Sequence, residues 1–451
     1  MRKFTEFYFE KFTFDEQSLI AKFYYSFDEE YFFEEEVDFS SWNFWIREKL
    51  DLSIINTFLF SIHIALGISY YKSYPTKNLI IKNWFLTKKQ ITFWEKFYKN
   101  GLGEFLFVNK IDPEWLFNFI VKSNEKYNLK EFKVSNRSLI PLGWWKDSLV
   151  SINHFEKQNL DFDLYVFWKN DDIKNNCADV IWKSILLTKR KISNNLLILN
   201  KSWNYNGHVP ITWIIAFVMV LVWYIYDYKN LVLSNEKSAN SWNTTWRWLD
   251  INHQYSKSLE FEEDFKSYLN KNITENINYF SFLRWFYELN IAKYFSENCK
   301  KYFTSFSSCN RNFNIDINKR LSWQIWCNQC SKCAFVFSIL RPYLSNEEII
   351  KIFWEDLFYK KELYKTFLEL SWLEWIKPLE CVWEAEEVIY SLYKSLKLYD
   401  KNNMPEILLS FKNKVLIDGN NDYFKKLEKK FVTIYDEDII PEDLKIKLLN
   451  N

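Results

Sequence analysis

The sequence predicts an α/β protein built on a mostly parallel sheet, with a strand-rich N-terminal region and a helical C-terminal region. Three observations lead there. Short apolar runs such as Ser138-Leu139-Ile140, Asp163-Leu164-Tyr165-Val166-Phe167 and Leu231-Val232-Leu233 have the length and bounding polar residues of buried strands. Longer apolar or amphipathic stretches lie between them, so strands alternate with helices, the pattern of a parallel sheet covered on both faces. Beyond residue 345 amphipathic helical spacing takes over.

Residues 1–130 form the expected strand-rich domain. Phe4 to Phe14 alternates aromatic and polar residues, and Ser18 to Tyr25 is a second apolar run. Ser53 to Gly67 reads as a helix, with His63 packed on its apolar face. Gly101-Leu102-Gly103-Glu104-Phe105 marks a turn with a carboxylate beside it.

Residues 131–345 form the expected α/β nucleotide-binding core. After the strand at 138–140 comes Pro141-Leu142-Gly143-Trp144-Trp145-Lys146-Asp147-Ser148-Leu149-Val150. A turn, then Lys, Asp and Ser, then an apolar run is how a backbone-lined anion cradle opens onto a helix, here 148–156. Such a cradle needs glycine for close approach to phosphate, yet tryptophan stands at 144 and 145. Leu196-Leu197-Ile198-Leu199 reads as a further strand, followed by a helix from Val209 to Tyr226 and the Leu231 strand. The segment after that strand, Ser234-Asn235-Glu236-Lys237-Ser238-Ala239-Asn240, is dense in hydrogen-bonding side chains. Ligands in such sheets lie at the carboxyl ends of strands, so the 143–148 and 234–243 loops are expected to face one crevice. Asn252-His253-Gln254-Tyr255-Ser256-Lys257-Ser258 then sets a histidine among polar side chains, a setting suited to proton transfer. Cys327-x-x-Cys330-x-x-Cys333 with Cys309 upstream supplies four thiolates, the set that tetrahedral structural zinc accepts. An iron–sulfur cluster or metal-free reduced cysteines are the alternatives.

Residues 346–451 form the expected helical region, with a polar loop at 371–384 of a type that closes over ligands. The net charge of +1 gives no basic stripe for nucleic acid. Val209 to Tyr226 carries no charge over eighteen residues, but it runs straight into a turn and strand and is read as a buried helix, not a membrane span. The N-terminus lacks the pattern of a signal peptide, and clustered cysteines suit a reducing compartment, so a cytoplasmic location is expected.

Composition bears on the cradle. The chain has 6 glycines and 22 tryptophans, 28 together. About 32 glycines is ordinary for this length at roughly 7% usage. Many of the tryptophans are therefore expected to be glycines in the native protein, from a UGA codon read as glycine by the source and as tryptophan here.

Taken together, Lys146-Asp147-Ser148, Gly207-His208-Val209-Pro210, Ser234-Asn235-Glu236-Lys237-Ser238, Asn252-His253-Gln254-Tyr255-Ser256-Lys257-Ser258, Ser308-Cys309-Asn310-Arg311, the cysteine cluster and Lys377-Pro378-Leu379-Glu380-Cys381-Val382 resemble the ATP-dependent UDP-N-acetylmuramoyl-L-alanyl-L-glutamate epimerases of peptidoglycan synthesis. These in turn look like members of the PP-loop ATP pyrophosphatase group, which implies a sheet of PP-loop, adenine-nucleotide-hydrolase type. The resemblance runs from Gly67 to the loop at 377–384, and it departs at Trp144, Trp145, Trp242, Trp372, Trp375 and Trp383, where glycine is expected.

The resemblance implies inversion of the terminal L-Glu of UDP-MurNAc-L-Ala-L-Glu through an acyl-adenylate, with release of AMP and diphosphate. It implies ATP and Mg²⁺ at Gly143, Trp144 and Trp145 (as glycines), Lys146, Asp147 and Ser148, with Ser234, Asn235, Ser238 and Asn240 lining the nucleotide or the substrate carboxylate. His253 is the expected proton-transfer group, with Lys257 or Glu236 as counterpart. Arg311, Asn252 and Tyr255 are expected on the substrate, and Cys309, Cys327, Cys330 and Cys333 on a structural Zn²⁺. Two other readings stay open: another PP-loop adenylating enzyme acting on a nucleobase or tRNA, and a degenerate non-catalytic homologue if Trp144 and Trp145 are genuine.

Overall fold

The computed structural model describes residues 4–82, 84–121, 133–143, 145–201, 204–241, 244–247, 249–313, 320–321, 324–373, 384–416, 421–435 and 438–449. Chain order begins with β1 (Glu6–Asp15), β2 (Ile20–Phe27) and β3 (Tyr31–Asp38), then α1 (Leu52–Tyr71), β4 (Asn78–Ile81), α2 (Lys88–Gly101), α3 (Gly103–Val108) and β5 (Asn118–Val121). The central stretch holds β6 (Ser138–Pro141), α4 (Lys146–Lys157), β7 (Phe162–Trp168), α5 (Asp172–Asp179), β8 (Ile185–Lys191), α6 (Asn194–Lys201), α7 (Ile211–Tyr226) and β9 (Asn230–Leu233). It continues with β10 (Thr244–Trp246), β11 (Leu249–Ile251), α8 (Leu259–Asn272), β12 (Asn278–Ser281), α9 (Glu288–Asn298) and α10 (Ser331–Leu340). Helices at Asn346–Phe353, Tyr364–Leu370, Ala385–Ser395, Glu406–Val415, Asn421–Val432 and Glu442–Leu449 complete the C-terminal region.

Ten strands form one sheet in the order β12-β9-β6-β7-β8-β3-β2-β1-β4-β5. The five from β12 to β8 are all parallel, and read from β8 their chain order is 3-2-1-4-5, a doubly wound arrangement. The order reverses between β6 and β9, so the crevice at the carboxyl end of this sheet opens there.

β3 joins the two halves by pairing antiparallel with β8, Glu36 opposite Lys191 and Asp38 opposite Lys189. The expected boundary near residue 130 thus falls between β5 and β6, within one continuous sheet. Beneath the seam the buried Arg190 guanidinium donates to both oxygens of Glu35, at 2.5 and 3.2 Å, and to Ser69 Oγ at 2.9 Å. Two buried charges are tolerated because the fork matches the carboxylate and the spare donor is used.

Neighbouring residues on the central strands enter opposite cores. Leu139, Tyr165, Leu231 and Tyr279 join the core under α1, α7 and α8. Ile140, Val166, Val232 and Phe280 join the core with α4, α9, α10 and the C-terminal helices. The period-2 pleat thus explains why these strands are apolar throughout instead of alternating. α1 is long and apolar enough to cross a membrane, and most of it is buried against the sheet and α7. His63 is a core histidine, its Nε2 3.0 Å from the Tyr24 carbonyl.

One expected strand is a helix. Leu196–Leu199 lies in α6, where Leu196 and Leu199 are buried while Leu197 and Ile198 are 49% and 58% exposed. That i, i+3 burial is a helical period, which a four-residue apolar run cannot reveal by itself. The strand that fills this place in the sheet, β8, runs from apolar Ile185-Leu186-Leu187 to basic Lys189-Arg190-Lys191, and only its burial alternates.

Candidate active site

At the switch point β6 runs into the 142–145 loop and β9 into the 234–241 segment, so both loops leave adjacent strand ends as expected. Trp145 has extended backbone and caps α4; Lys146, Asp147 and Ser148 form the first turn. Ser148 Oγ donates to the carbonyls of Trp145 (3.1 Å) and Gly143 (3.4 Å), folding the loop onto the helix end. Trp144 lies outside the described residues, as do Trp242, Trp375, Trp383 and the segment 377–383.

Lys146 is buried and bridges Asp147 Oδ1, at 2.5 Å, and the carboxylate of Glu288, which opens α9. Burial alone would pull the ammonium pKa down; the two carboxylates more than offset it, so Lys146 stays charged. Glu288 feels burial and the charge of Asp147, and its carboxyl is pushed up to about 8 despite Lys146. Oxygens of Asp147, Glu236 and Glu288 lie within 4.8 Å of one another.

Two ammonium groups converge on the Trp145 ring: Lys257 Nζ at 4.8 Å from the centroid and Lys332 Nζ at 4.2 Å. Burial and Lys332 together hold the Lys257 pKa below its usual range. The indole thus occupies the space at a helix N-terminus that two lysines face.

Arg284, 1% exposed, ties the walls together. It donates to the Glu236 carbonyl (2.8 Å), the Lys257 carbonyl (2.7 Å) and Glu262 Oε1 (2.6 Å). Other expected nucleotide-side residues are held by their neighbours. Ser234 Oγ meets Ser151 Oγ at 2.7 Å, Asn235 donates to Ser281 Oγ at 2.8 Å, and Ser238 donates to Glu387 Oε2 at 3.1 Å. Asn240 Oδ1 accepts from the Leu259 amide at 2.8 Å.

The other end of the site is built on α3, β11 and the turn before α7. α2 ends at Gly101 and α3 begins at Gly103, which sets Glu104 in the first turn of α3. Glu104 accepts a hydrogen bond from His253 Nδ1 and lies 3.9 Å from His208 Nδ1. The two imidazole rings are 4.8 Å apart with a 52° tilt. Gly207, at φ +145°, turns the chain into His208, and its carbonyl accepts from Lys72 Nζ at 2.7 Å. Burial lowers the Lys72 pKa to about 8. Burial first, then the charge of His253, lowers His208 to about 4, with Lys257 and Lys72 in electrostatic reach. Lys257 therefore links the histidine end to the 142–145 loop.

Asn252 bonds the Ala239 carbonyl at 3.1 Å, and the Tyr255 ring packs against Phe97 and Phe261 in the core. Arg311 is exposed and donates to Gln329 at 2.8 Å, beside the cysteines. Sequence reasoning gave no role to Glu104, His208, Arg284, Glu288 or Lys332. Glu104 and His208 each stood beside a glycine turn; Arg284 and Glu288 carried the signal of charges flanking an aromatic run, Trp285-Phe286-Tyr287.

The sulfurs of Cys309, Cys327, Cys330 and Cys333 lie within 4.8 Å of one another at the N-terminus of α10. Cys330–Cys333 is 3.5 Å and Cys327–Cys333 is 3.8 Å. A zinc tetrahedron with arms of about 2.3 Å has edges of about 3.8 Å, so the four donors fit that ion.

Family models for the MurL N-terminal domain and the MurL C-terminal domain match residues 1–282 and 305–416. Three curated relatives carry the name UDP-N-acetyl-alpha-D-muramoyl-L-alanyl-L-glutamate epimerase. The one from Salinispora tropica is 31% identical over 73% of this chain and 71% of its own length. The one from a Micromonospora species is 30% identical over 73% of each chain. The one from Xanthomonas oryzae pv. oryzae is 29% identical over 72% of this chain and 71% of its own. No solved structure matches the chain.

Proposed function

The chain belongs to the MurL family, and from that premise we propose that it inverts the terminal glutamate of UDP-MurNAc-L-Ala-L-Glu at the expense of ATP, on a sheet of PP-loop type. The observation that carries the ATP half is the convergence of Lys257 and Lys332 on position 145, at the N-terminus of α4. With glycine at 145 that space is open to an anion, and helix amides and two ammonium groups line it.

Backbone geometry supports glycine at the tryptophan positions. Trp168, Trp182, Trp354 and Trp372 have φ of 81°, 54°, 62° and 53°, four of thirteen non-glycine residues in the left-handed region among the described residues. A bulky side chain is an outlier there; glycine is the ordinary occupant.

The chemistry follows from the acidity of the α-carbon. Removing its proton beside a free carboxylate puts two negative charges together. Transfer of AMP to the carboxylate, with diphosphate leaving, removes that charge and turns the carbanion into an enolate-like species. A base takes the proton from one face and an acid returns one to the other. Water then cleaves the acyl-adenylate, giving D-Glu product and AMP. Lys146 and Ser148 hold the loop, Lys257 and Lys332 face the phosphates, and His253, oriented by Glu104, moves a proton. Asp147, Glu236 and Glu288 offer the oxygen donors that Mg²⁺ takes, and since Lys146 bridges two of them, an ion held there would replace that ammonium and share the phosphate charge. The four cysteines suit a structural zinc that fixes the start of α10, which carries Lys332.

The test is peptide mass spectrometry on protein from its own source, then ATP–diphosphate exchange with the UDP-linked dipeptide on the chain carrying glycine wherever it is found. Glycine at 145 with exchange supports the reading. Tryptophan at 145 and no exchange would make the chain a degenerate homologue.

A further inference from the structure

Resting on the epimerase reading above, we propose that His208 is the second proton-transfer group, and that Glu104 serves His208 and His253 together. The chain has four histidines. His63 and His154 are buried, His63 within the core and His154 on α4 beside Phe282. The remaining two flank one carboxylate oxygen, Glu104 Oε2: His253 Nδ1 is hydrogen-bonded to it, and His208 Nδ1 lies 3.9 Å away. They arrive from different segments, His208 before α7 and His253 after β11. Both are partly open, with side chains 20% and 22% exposed.

On His253 the carboxylate at Nδ1 fixes the proton there and leaves Nε2, on the far edge of the ring, as the basic nitrogen, while on His208 it acts through its charge. It also stabilises whichever ring becomes imidazolium. The two ring planes are inclined by 52°, with centroids 4.8 Å apart. Inversion needs this doubling. A single group that returns its proton to the side it came from regenerates the starting isomer.

In the forward step Nε2 of His208, which burial keeps neutral at rest, takes the α-hydrogen as a proton, and the C–H electron pair passes into the enolate of the acyl-adenylate. The other ring, as imidazolium, gives its Nε2 proton to the opposite face, and that pair forms the new C–H bond. The first ring then loses a proton to water and the second regains one, so the cycle closes with no other reactant.

Glu104, His208 and His253 also have the donor types of a divalent-metal site, their atoms lying within 4.8 Å. The surroundings favour an anion instead. Lys72 Nζ is bonded to the carbonyl of Gly207, next to His208, and Lys72 and Lys257 both act on His208 as positive charges, which oppose a dication. They suit the enolate and the carboxylates of the dipeptide.

The test uses the full chain with its native residues, ATP and D₂O, started separately from the L-Glu and D-Glu substrates. His208→Gln and His253→Gln are compared, with His208→Asn as a second variant, and ATP–diphosphate exchange is measured in each to report an intact phosphate end. We expect inversion to fall at least 100-fold in each variant. We expect α-deuterium to keep entering one isomer in His208→Gln and the other isomer in His253→Gln. Inversion within fivefold of the parent in both His208 variants overturns the proposal. So does loss of deuterium entry from both isomers in both variants while ATP–diphosphate exchange persists, or a stoichiometric metal released by His208→Gln. Absence of ATP–diphosphate exchange in the parent sinks the underlying reading, and this proposal with it.

Discussion

His253 Nδ1 and Glu104 Oε2 are joined by a hydrogen bond that spans 149 residues of chain. Burial alone would raise the Glu104 carboxyl, but the bond and the charges of His253 and His208 hold it below its usual range. Glu104 is therefore an anion that positions histidine. Glu104→Gln keeps the shape and removes the charge. Epimerisation should fall about 10- to 100-fold, the usual cost of losing such a partner. The acid limb of the kcat/KM profile should also move to lower pH, because an imidazole without its carboxylate gives up its proton more easily. An unmoved limb would show that Glu104 only fills space.

Acid should destabilise the fold partly through His63. Burial lowers its pKa from 6.5 to about 3. Between those values the unfolded chain holds a proton that the native chain lacks, so stability rises with pH and is lost as pH falls below 6.5. The slope is about 1.4 kcal/mol per pH unit for one such group. Urea unfolding of the parent and of His63→Leu at pH 7, 6 and 5 isolates this contribution as the difference between the two slopes. Parallel slopes would refute it.

The Lys146–Glu288 pair should behave as a unit. Lys146→Gln leaves Asp147 buried without its ammonium beside Glu288, and an unpaired buried charge of this kind costs about 3–5 kcal/mol. Lys146→Gln/Glu288→Gln should recover part of that loss in a double-mutant cycle. Additive losses would mean that the two do not interact.

The cysteine cluster should carry one tightly held zinc. Native mass spectrometry of the full chain should show one equivalent, and Cys330→Ser should lower both metal content and Tm. A metal-free chain of unchanged Tm would return the cluster to reduced, packed cysteines.

Trp354 caps the Asn346–Phe353 helix in a left-handed conformation, its amide bonded to the Ile350 carbonyl at 2.8 Å. Glycine is the common residue at that position. Trp354→Gly should stabilise the protein by about 1–2 kcal/mol, the left-handed cost to a residue with a Cβ. A loss of stability on urea unfolding would show that the indole contributes more by packing than its backbone costs.

Three central strands, β6, β7 and β9, were legible because each is short, apolar and bounded; β8, with its basic end, and β12 were not read from the sequence. The loop at 143–148 was legible from its chemistry even with tryptophan in place. The Leu196 run was misread because four apolar residues fit either period. At the α4 end Lys146, Asp147, Ser148 and Glu236 came from contiguous motifs, whereas Arg284, Glu288 and Lys332 reach it from other segments. At the histidine end Glu104, His208 and His253 come from three distant segments, and only folding shows that the two rings flank one oxygen. Tyr255 stands in the same motif as His253 and faces the core instead, since residues two apart in an irregular segment need not face the same way.

The seam between β3 and β8 bears on how the chain reaches this structure. Glu35 and Arg190 are 155 residues apart, so the entropy of closing that loop delays their pairing relative to the local β1–β3 meander. In the interval each half-sheet presents an unpaired edge, the kind of surface on which chains self-associate. The edges are oppositely charged: Glu34, Glu35, Glu36 and Asp38 lie on one, Lys189, Arg190 and Lys191 on the other. Two β3 edges from different molecules repel, and so do two β8 edges, while the edges of one chain attract. The sign pattern along the seam thus guides the late docking of the two halves and discourages aggregation until it is done.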